Sequence, residues 1–187
     1  MFIREEFFES PERDRGALYR IQPKLDIVYE DEHIMLLNKR PGVLVHEDTA
    51  AAENTLILHV QAYLAQKGEY QPESEQTFAP ALCNRIDRNT GGIVIAAKTA
   101  EGLREMNEKI RLDELSKCYV CAVHGRMPKR QDTLRAWLRK DSASNMVDIS
   151  DTQRAGYKEI ITKYRVLRER GDTTLLEVEL GIRGQTH

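Results

Sequence analysis

Ala81-Leu82-Cys83-Asn84-Arg85-Ile86-Asp87-Arg88-Asn89-Thr90-Gly91-Gly92 runs directly into the apolar stretch Ile93-Val94-Ile95-Ala96-Ala97. A polar, turn-rich segment followed by a short apolar run reads as a loop that feeds a buried strand. Asp87 stands between Arg85 and Arg88, and the paired glycines leave room for a backbone or ligand to approach closely. Two arginines within reach favour the charged form of the carboxylate. An ionised carboxylate at a strand entrance suits a nucleophile or an electrostatic stabiliser. The same residues also suit a structural ion pair inside a turn.

Upstream, Ile27-Val28-Tyr29 and Ile34-Met35-Leu36-Leu37 flank the acidic turn Glu30-Asp31-Glu32-His33 and predict a hairpin. Lys39-Arg40-Pro41-Gly42 is a turn signal, followed by Val43-Leu44-Val45. Asn54 is placed to cap a helix with Ile57, Val60 and Leu64 on its inner face and Gly68 at its stop. Residues 68–77 form a polar excursion, and residues 9–24, broken by Pro11, Gly16 and Pro23, read as a linker or extended arm. Downstream, Thr99 begins a second helix with Leu103, Met106 and Ile110 on one side. From Lys117 the pattern turns to strands at 119–123, 134–138, 160–167 and 175–180, with Gly171-Asp172 as the last turn and 141–156 as a surface loop. The sum is an α+β fold, with a mixed, mostly antiparallel central sheet and flanking helices.

The 187 residues carry 28 Lys+Arg against 30 Asp+Glu, a net charge of -2, which excludes a bulk polybasic coat. The balance is uneven: −5 over residues 1–100 and +3 over the rest, so a polyanion meets the second half first. No run approaches the roughly 18 apolar residues of a membrane span. The start lacks the plan of a signal peptide, and a cytoplasmic protein without membrane contact is expected. Cys83, Cys118 and Cys121 are odd in number, which argues against a disulfide framework. The lone Cys118-x-x-Cys121 pair and five scattered histidines predict no metal site.

The segment Asn84-Arg85-Ile86-Asp87-Arg88-Asn89-Thr90-Gly91-Gly92 resembles the signature of the RluA-type pseudouridine synthases, H-R-L-D-x-x-T-S-G. Three other stretches agree in the family's order. Asn38-Lys39-Arg40-Pro41-Gly42-Val43-Leu44-Val45-His46 is similar to N-K-P-x-G-x-x-V-H, with Arg40 inserted. Lys117-Cys118-Tyr119-Val120-Cys121-Ala122-Val123-His124-Gly125 is similar to K-x-Y-x-A-x-V-x-G, and Gly184-Gln185-Thr186-His187 to the opening of G-[RK]-T-H-Q-I-R. Asn84 stands where the family has histidine and Gly91 where it has serine.

The resemblance implies the family's catalytic-domain fold and the isomerisation of uridine to pseudouridine in RNA, with large-subunit (23S) ribosomal RNA as substrate and transfer RNA as the nearest alternative. It makes Asp87 the essential carboxylate, Arg85 the side chain that enters the stack where the target base left, and Tyr119 the neighbour of the flipped uracil. Arg88, Thr90 and Lys117 join the RNA-binding set. Lys39 is a phosphate or a structural contact. The segment holding Arg126, Lys129, Arg130, Arg135, Arg139 and Lys140 reads as a backbone-tracking surface, with Arg130 and Arg135 foremost, or equally as a solvated edge strand. No cofactor is implied, and a monomer is expected. A glycoside hydrolase would need two facing carboxylates where this loop offers one. A non-catalytic RNA-binding fragment is the other competing class. Residues 1–24 are expected as an arm or the remnant of an upstream S4-type domain, and 25–187 as the catalytic domain, incomplete at its C-terminal end. In the family an arginine three residues beyond the position of His187 pairs with the aspartate, so weak or absent activity is expected of this chain.

Overall fold

The computed structural model describes residues 17–46, 55–74, 78–140 and 146–183. Asn54, the Gly184–His187 motif segment and residues 1–16 lie outside the described residues. The chain forms two compact units, Met1–Glu108 and Lys109–His187.

In the first unit β1 (Ile27–Glu30) and β2 (Ile34–Lys39) form the expected hairpin. Asp31 Oδ1 accepts from the His33 and Ile34 amides at 2.8 Å each, which closes the acidic turn. With β3 (Ala81–Leu82) and β4 (Gly92–Ala97) they make an antiparallel sheet in the order β1-β2-β4-β3. The helix α2 (Leu56–Gln66) lays Leu56, Val60 and Leu64 on Met35, Leu37, Val94 and Ala96. Its N-cap is Thr55, whose side chain makes no capping bond, and Ile57 is only half-buried while Leu56 joins the core. Gly68, at φ 79, ends the helix as expected, and the Glu69 and Tyr70 amides donate to the Leu64 carbonyl.

Thr99 caps α3 (Ala100–Arg111), its Oγ1 accepting from the Gly102 amide at 3.1 Å. Gly102 is required by space: a Cβ there would stand 2.6 Å from the His33 carbonyl oxygen. The arm expected over 9–24 includes a one-turn helix, α1 (Ala17–Arg20), which contacts α2. Gln66 Nε2 holds the chain just after it, donating to the Ile21 carbonyl at 2.7 Å.

The second unit is a five-stranded antiparallel sheet in the order β5-β9-β8-β6-β7. Its strands are β5 (Lys117–His124), β6 (Gln131–Lys140), β7 (Val147–Ser150), β8 (Lys158–Arg170) and β9 (Thr173–Arg183). One face buries Tyr164, Val166 and Leu176 with Val123, Met127 and Val178 against them. The surface loop expected over 141–156 contains β7, which pairs Val147 and Ile149 with Lys140 and Leu138. β6 and β8 outrun the apolar runs that announced them, because cross-strand ion pairs such as Arg135–Glu159 sustain the ladder where the side chains are charged. The α+β class and antiparallel pairing agree with the sequence, and the strands divide into one sheet per unit.

Candidate active site

The Asp87 loop joins β3 to β4 and is fixed mainly through its backbone. The Cys83 amide donates to Ile95 O at 2.8 Å, which continues the ladder past β3. Asn84 then imitates a strand residue with its side chain: its Oδ1 accepts from the Ile95 amide at 2.8 Å and its Nδ2 donates to Ile93 O at 3.2 Å. Ile86 packs on the core, so its neighbours Arg85 and Asp87 point outward and are exposed. The Thr90 amide donates to Asp87 O at 3.0 Å and closes a turn.

A second loop, 40–44, is bolted to this turn. The Gly42 amide donates to Arg88 O at 2.7 Å, and Arg88 Nε returns a bond to Gly42 O at 3.1 Å. Beneath both lies Lys39, 2% exposed. Its ammonium donates to Val43 O and Arg88 O at 3.0 Å each and to Arg40 O at 3.3 Å. Burial draws the Lys39 pKa down, and the charge of Asp87 draws it back up. Gly91 fits under Pro41 so closely that a Cβ would meet Pro41 Cδ at 3.1 Å.

The two loops enclose a cleft of about 390 Å³ lined by Leu44, Val45, His46, Arg85, Ile86, Asp87 and Arg88. Neither Arg85 nor Arg88 pairs with Asp87 among the described residues, which corrects the ion-pair expectation; Arg88 is turned to Gly42 instead. The Asp87 carboxylate makes no ion pair among the described residues. Thr90 is half-buried at the loop's exit. Two residues were not singled out by sequence reasoning. In the sequence Asn84 stands only as a departure from the family's histidine, and His46 only as the end of a motif. Among the described residues no cluster of three or more His, Cys, Asp or Glu side chains has the arrangement of a metal site. None of their helices is long and apolar enough to cross a membrane.

The remaining candidates belong to the second unit. Tyr119 is half-buried on β5 opposite Val178, and Lys117 is exposed opposite Leu180. Half of the six cations over 126–140 have acidic partners. Arg135 pairs with Glu159 at 2.8 Å, Lys129 with Asp132 at 2.9 Å and Arg139 with Asp148 at 4.0 Å. Arg139 also covers the Tyr157 ring, 5.2 Å from its centroid. Arg130 is exposed without an acidic partner among the described residues.

The RNA pseudouridylate synthase family profile matches residues 33–187. An uncharacterized RNA pseudouridine synthase of Mycoplasma genitalium is 31% identical over 177 residues, covering 93% of this chain and 53% of that protein. Ribosomal large subunit pseudouridine synthase C of Vibrio cholerae is 29% identical, covering 86% of this chain and 46% of that protein. The chain spans about half the length of these relatives. Its fold is that of human RNA pseudouridylate synthase domain containing 4, with a TM-score of 0.62 at 21% identity, covering 91% of this chain and 63% of that one. With the family profile spanning both units, this chain belongs to the RNA pseudouridylate synthase family.

Proposed function

We propose that this chain carries out the isomerisation of uridine to pseudouridine in RNA, with Asp87 as its essential carboxylate and large-subunit ribosomal RNA as its substrate. The observation that carries the reading is a rigid loop that presents an exposed carboxylate with no ion pair of its own among the described residues. The substrate class follows the names of relatives such as the Vibrio cholerae enzyme and ribosomal large subunit pseudouridine synthase D of Borreliella burgdorferi.

In this reaction the nitrogen–sugar bond breaks, the uracil turns, and a carbon–sugar bond forms. The carbon gives up a proton and the freed nitrogen gains one. Nothing is oxidised and no atom is imported, so the chemistry falls to acid, base and nucleophile. Attack on the sugar carbon, addition to the base and removal of a sugar proton each need an ionised carboxylate held in place. The turn closed by the Thr90 amide and the bolt between Gly42 and Arg88 supply that placement. Arg85, exposed and unpaired among the described residues, suits the gap left by a flipped base, because a guanidinium plane stacks and pairs with phosphate at once. Tyr119 offers a ring and a hydroxyl to the uracil.

The test is incubation of the full chain with transcripts of large-subunit ribosomal RNA and of transfer RNA. Pseudouridine is then detected by its specific derivative in mass spectrometry, since isomerisation itself leaves the RNA mass unchanged. Weak pseudouridine formation in the ribosomal transcript, abolished by Asp87→Asn with RNA affinity retained, is the expected result. Turnover by the Asn variant removes Asp87 from its role, and product only in transfer RNA moves the substrate.

A further inference from the structure

The outer face of the second sheet is a ladder of opposite charges. Lys163 on β8 meets Glu179 on β9 at 3.3 Å, and Arg165 meets Glu177 at 3.0 Å. Regular alternation would carry Leu167 and Glu169 onto this face next and send Arg168 and Arg170 to the other. A bulge intervenes. Val166 pairs with Leu176 and Arg168 with Leu175, which leaves Leu167 without a partner. One extra residue flips the side chains beyond it to the opposite face. Arg168 and Arg170 therefore join Lys163 and Arg165, while Glu169 turns away.

Their surroundings differ from those of the ladder. Opposite Arg168 and Arg170, β9 offers Leu175 and Thr173 in place of glutamates. β5 follows with Ala122 and His124 in the same rows. Both arginines are exposed, and neither has an acidic partner among the described residues. The hairpin is also firmly held: the Gly125 amide donates to Asp172 O at 2.8 Å, and Thr174 Oγ1 donates to Gly125 O at 2.7 Å. On this face the β8–β9 ladder neutralises Lys163 and Arg165 and leaves Arg168 and Arg170 at one end, aimed together by a bulge in a hairpin held by a buried threonine.

We propose that Arg168 and Arg170 form an RNA-backbone contact at the β8–β9 hairpin, with His124 beside them, in the unit that does not carry the Asp87 cleft. This rests on the reading of the chain as an enzyme acting on RNA. The ligand is a pair of phosphates. Guanidinium groups on a fixed strand meet phosphate oxygens with two parallel bonds, and such contacts set affinity and orientation without reading sequence.

The experiment measures binding of a fluorescein-labelled RNA stem-loop to the full chain over a series of KCl concentrations, in the Asp87→Asn background so that turnover plays no part. Each phosphate contact steepens the dependence of log K on log salt by about 0.7–0.9. Arg168→Ala with Arg170→Ala should therefore flatten the slope by about 1.5. Lys163→Gln with Arg165→Gln makes the same change in charge on the same face but removes cations that already have partners, and should leave the slope near that of the parent. Deleting Leu167 removes only the bulged residue: Arg168 then follows Val166 directly and still stands opposite Leu175, so both arginines keep their face and the slope should stay near that of the parent; if that deletion does not fold the alanine pair decides alone. An unchanged slope in the alanine pair, or an equal loss in the glutamine pair, overturns the proposal. So does a loss confined to poly-L-glutamate, which would make the surface a dock for an acidic protein. Failure of the pseudouridine reading would show elsewhere, as no pseudouridine formed by the unsubstituted chain.

Discussion

Lys39→Met keeps most of the side-chain volume and removes the ammonium beneath the Asp87 loop. Three carbonyls lose a donor, but unequally. Arg88 O keeps the Gly42 amide at 2.7 Å, and Arg40 O keeps the Val43 amide at 3.4 Å. Val43 O, which accepts from Lys39 Nζ at 3.0 Å, is left with no other backbone donor among the described residues. A buried acceptor without a partner costs about 1–3 kcal/mol, and a hydrogen bond from a charged donor contributes about 1.5–3 kcal/mol. Relief from burying a cation offsets part of the sum. The net loss should be about 2–4 kcal/mol, concentrated in loops 40–44 and 87–91. Hydrogen exchange followed by mass spectrometry reads it locally: amides in these loops should exchange roughly 30–700-fold faster, at about 1.4 kcal/mol per factor of ten. The urea midpoint should fall as well, and pseudouridine formation should drop because the carboxylate loses its fixed position. Unchanged exchange in both loops together with an unchanged midpoint would refute the view that Lys39 holds them.

Two further outcomes follow from the same unit. Gly91→Ser restores the family's residue but sets a Cβ 3.1 Å from Pro41 Cδ, so it should destabilise by about 1–2 kcal/mol in urea unfolding. If the inserted Arg40 is what brings Pro41 over Gly91, a double-mutant cycle with deletion of Arg40 should show a favourable coupling, and strict additivity would uncouple the two departures. Burial pushes the Glu30 carboxyl up, but hydrogen bonds from Lys67, Lys98 and Tyr63 outweigh it and hold the pKa at about 2, against an ordinary 4.5. A carboxyl with a depressed folded-state pKa contributes stability that is present above pH 4.5 and lost as pH falls toward 2, on the order of 2–3 kcal/mol. Acid titration of thermal stability should show that loss in the unsubstituted chain and a flatter profile in Glu30→Gln; equal profiles would assign the acid sensitivity to other groups.

What the sequence disclosed depended on whether periodicity or register carried the information. The β1–β2 hairpin was legible because apolar runs flank a turn whose aspartate closes on its own backbone, and the α3 start because Thr99 precedes the helix it caps. The loop around Asp87 was legible as a loop, though its supports were not. Lysine is almost never fully buried, so the sequence left Lys39 open between a phosphate contact and a structural one. Asn84 gave no signal of strand-like bonding, since that role needs Ile93 and Ile95 alongside. The cations over 126–140 read equally as an RNA-tracking surface or a solvated edge strand, and the sequence could not decide for a related reason: Glu159 and Asp148, which pair with Arg135 and Arg139, arrive from other strands at positions fixed only by pairing. β7 was missed because four residues inside a polar stretch offer too little alternation to see.

The construction of the Asp87 loop separates what is held from what is left free. Backbone groups are bound at Cys83, Asp87, Arg88 and Gly42, and side chains are committed inward at Asn84, Ile86 and Lys39. Arg85 and Asp87 sit between these anchors on a chain that leaves them little freedom in position, and yet their polar groups are unspent among the described residues. A loop built only for stability would turn those charges on each other, because Arg-x-Asp-Arg contains everything an internal ion pair needs. Spending Arg88 on Gly42 and seating a buried lysine below the turn keeps the carboxylate uncommitted while its scaffold stays rigid. That combination is what the role proposed for Asp87 requires: supports that fix geometry, and a reactive group whose first strong partner is the substrate.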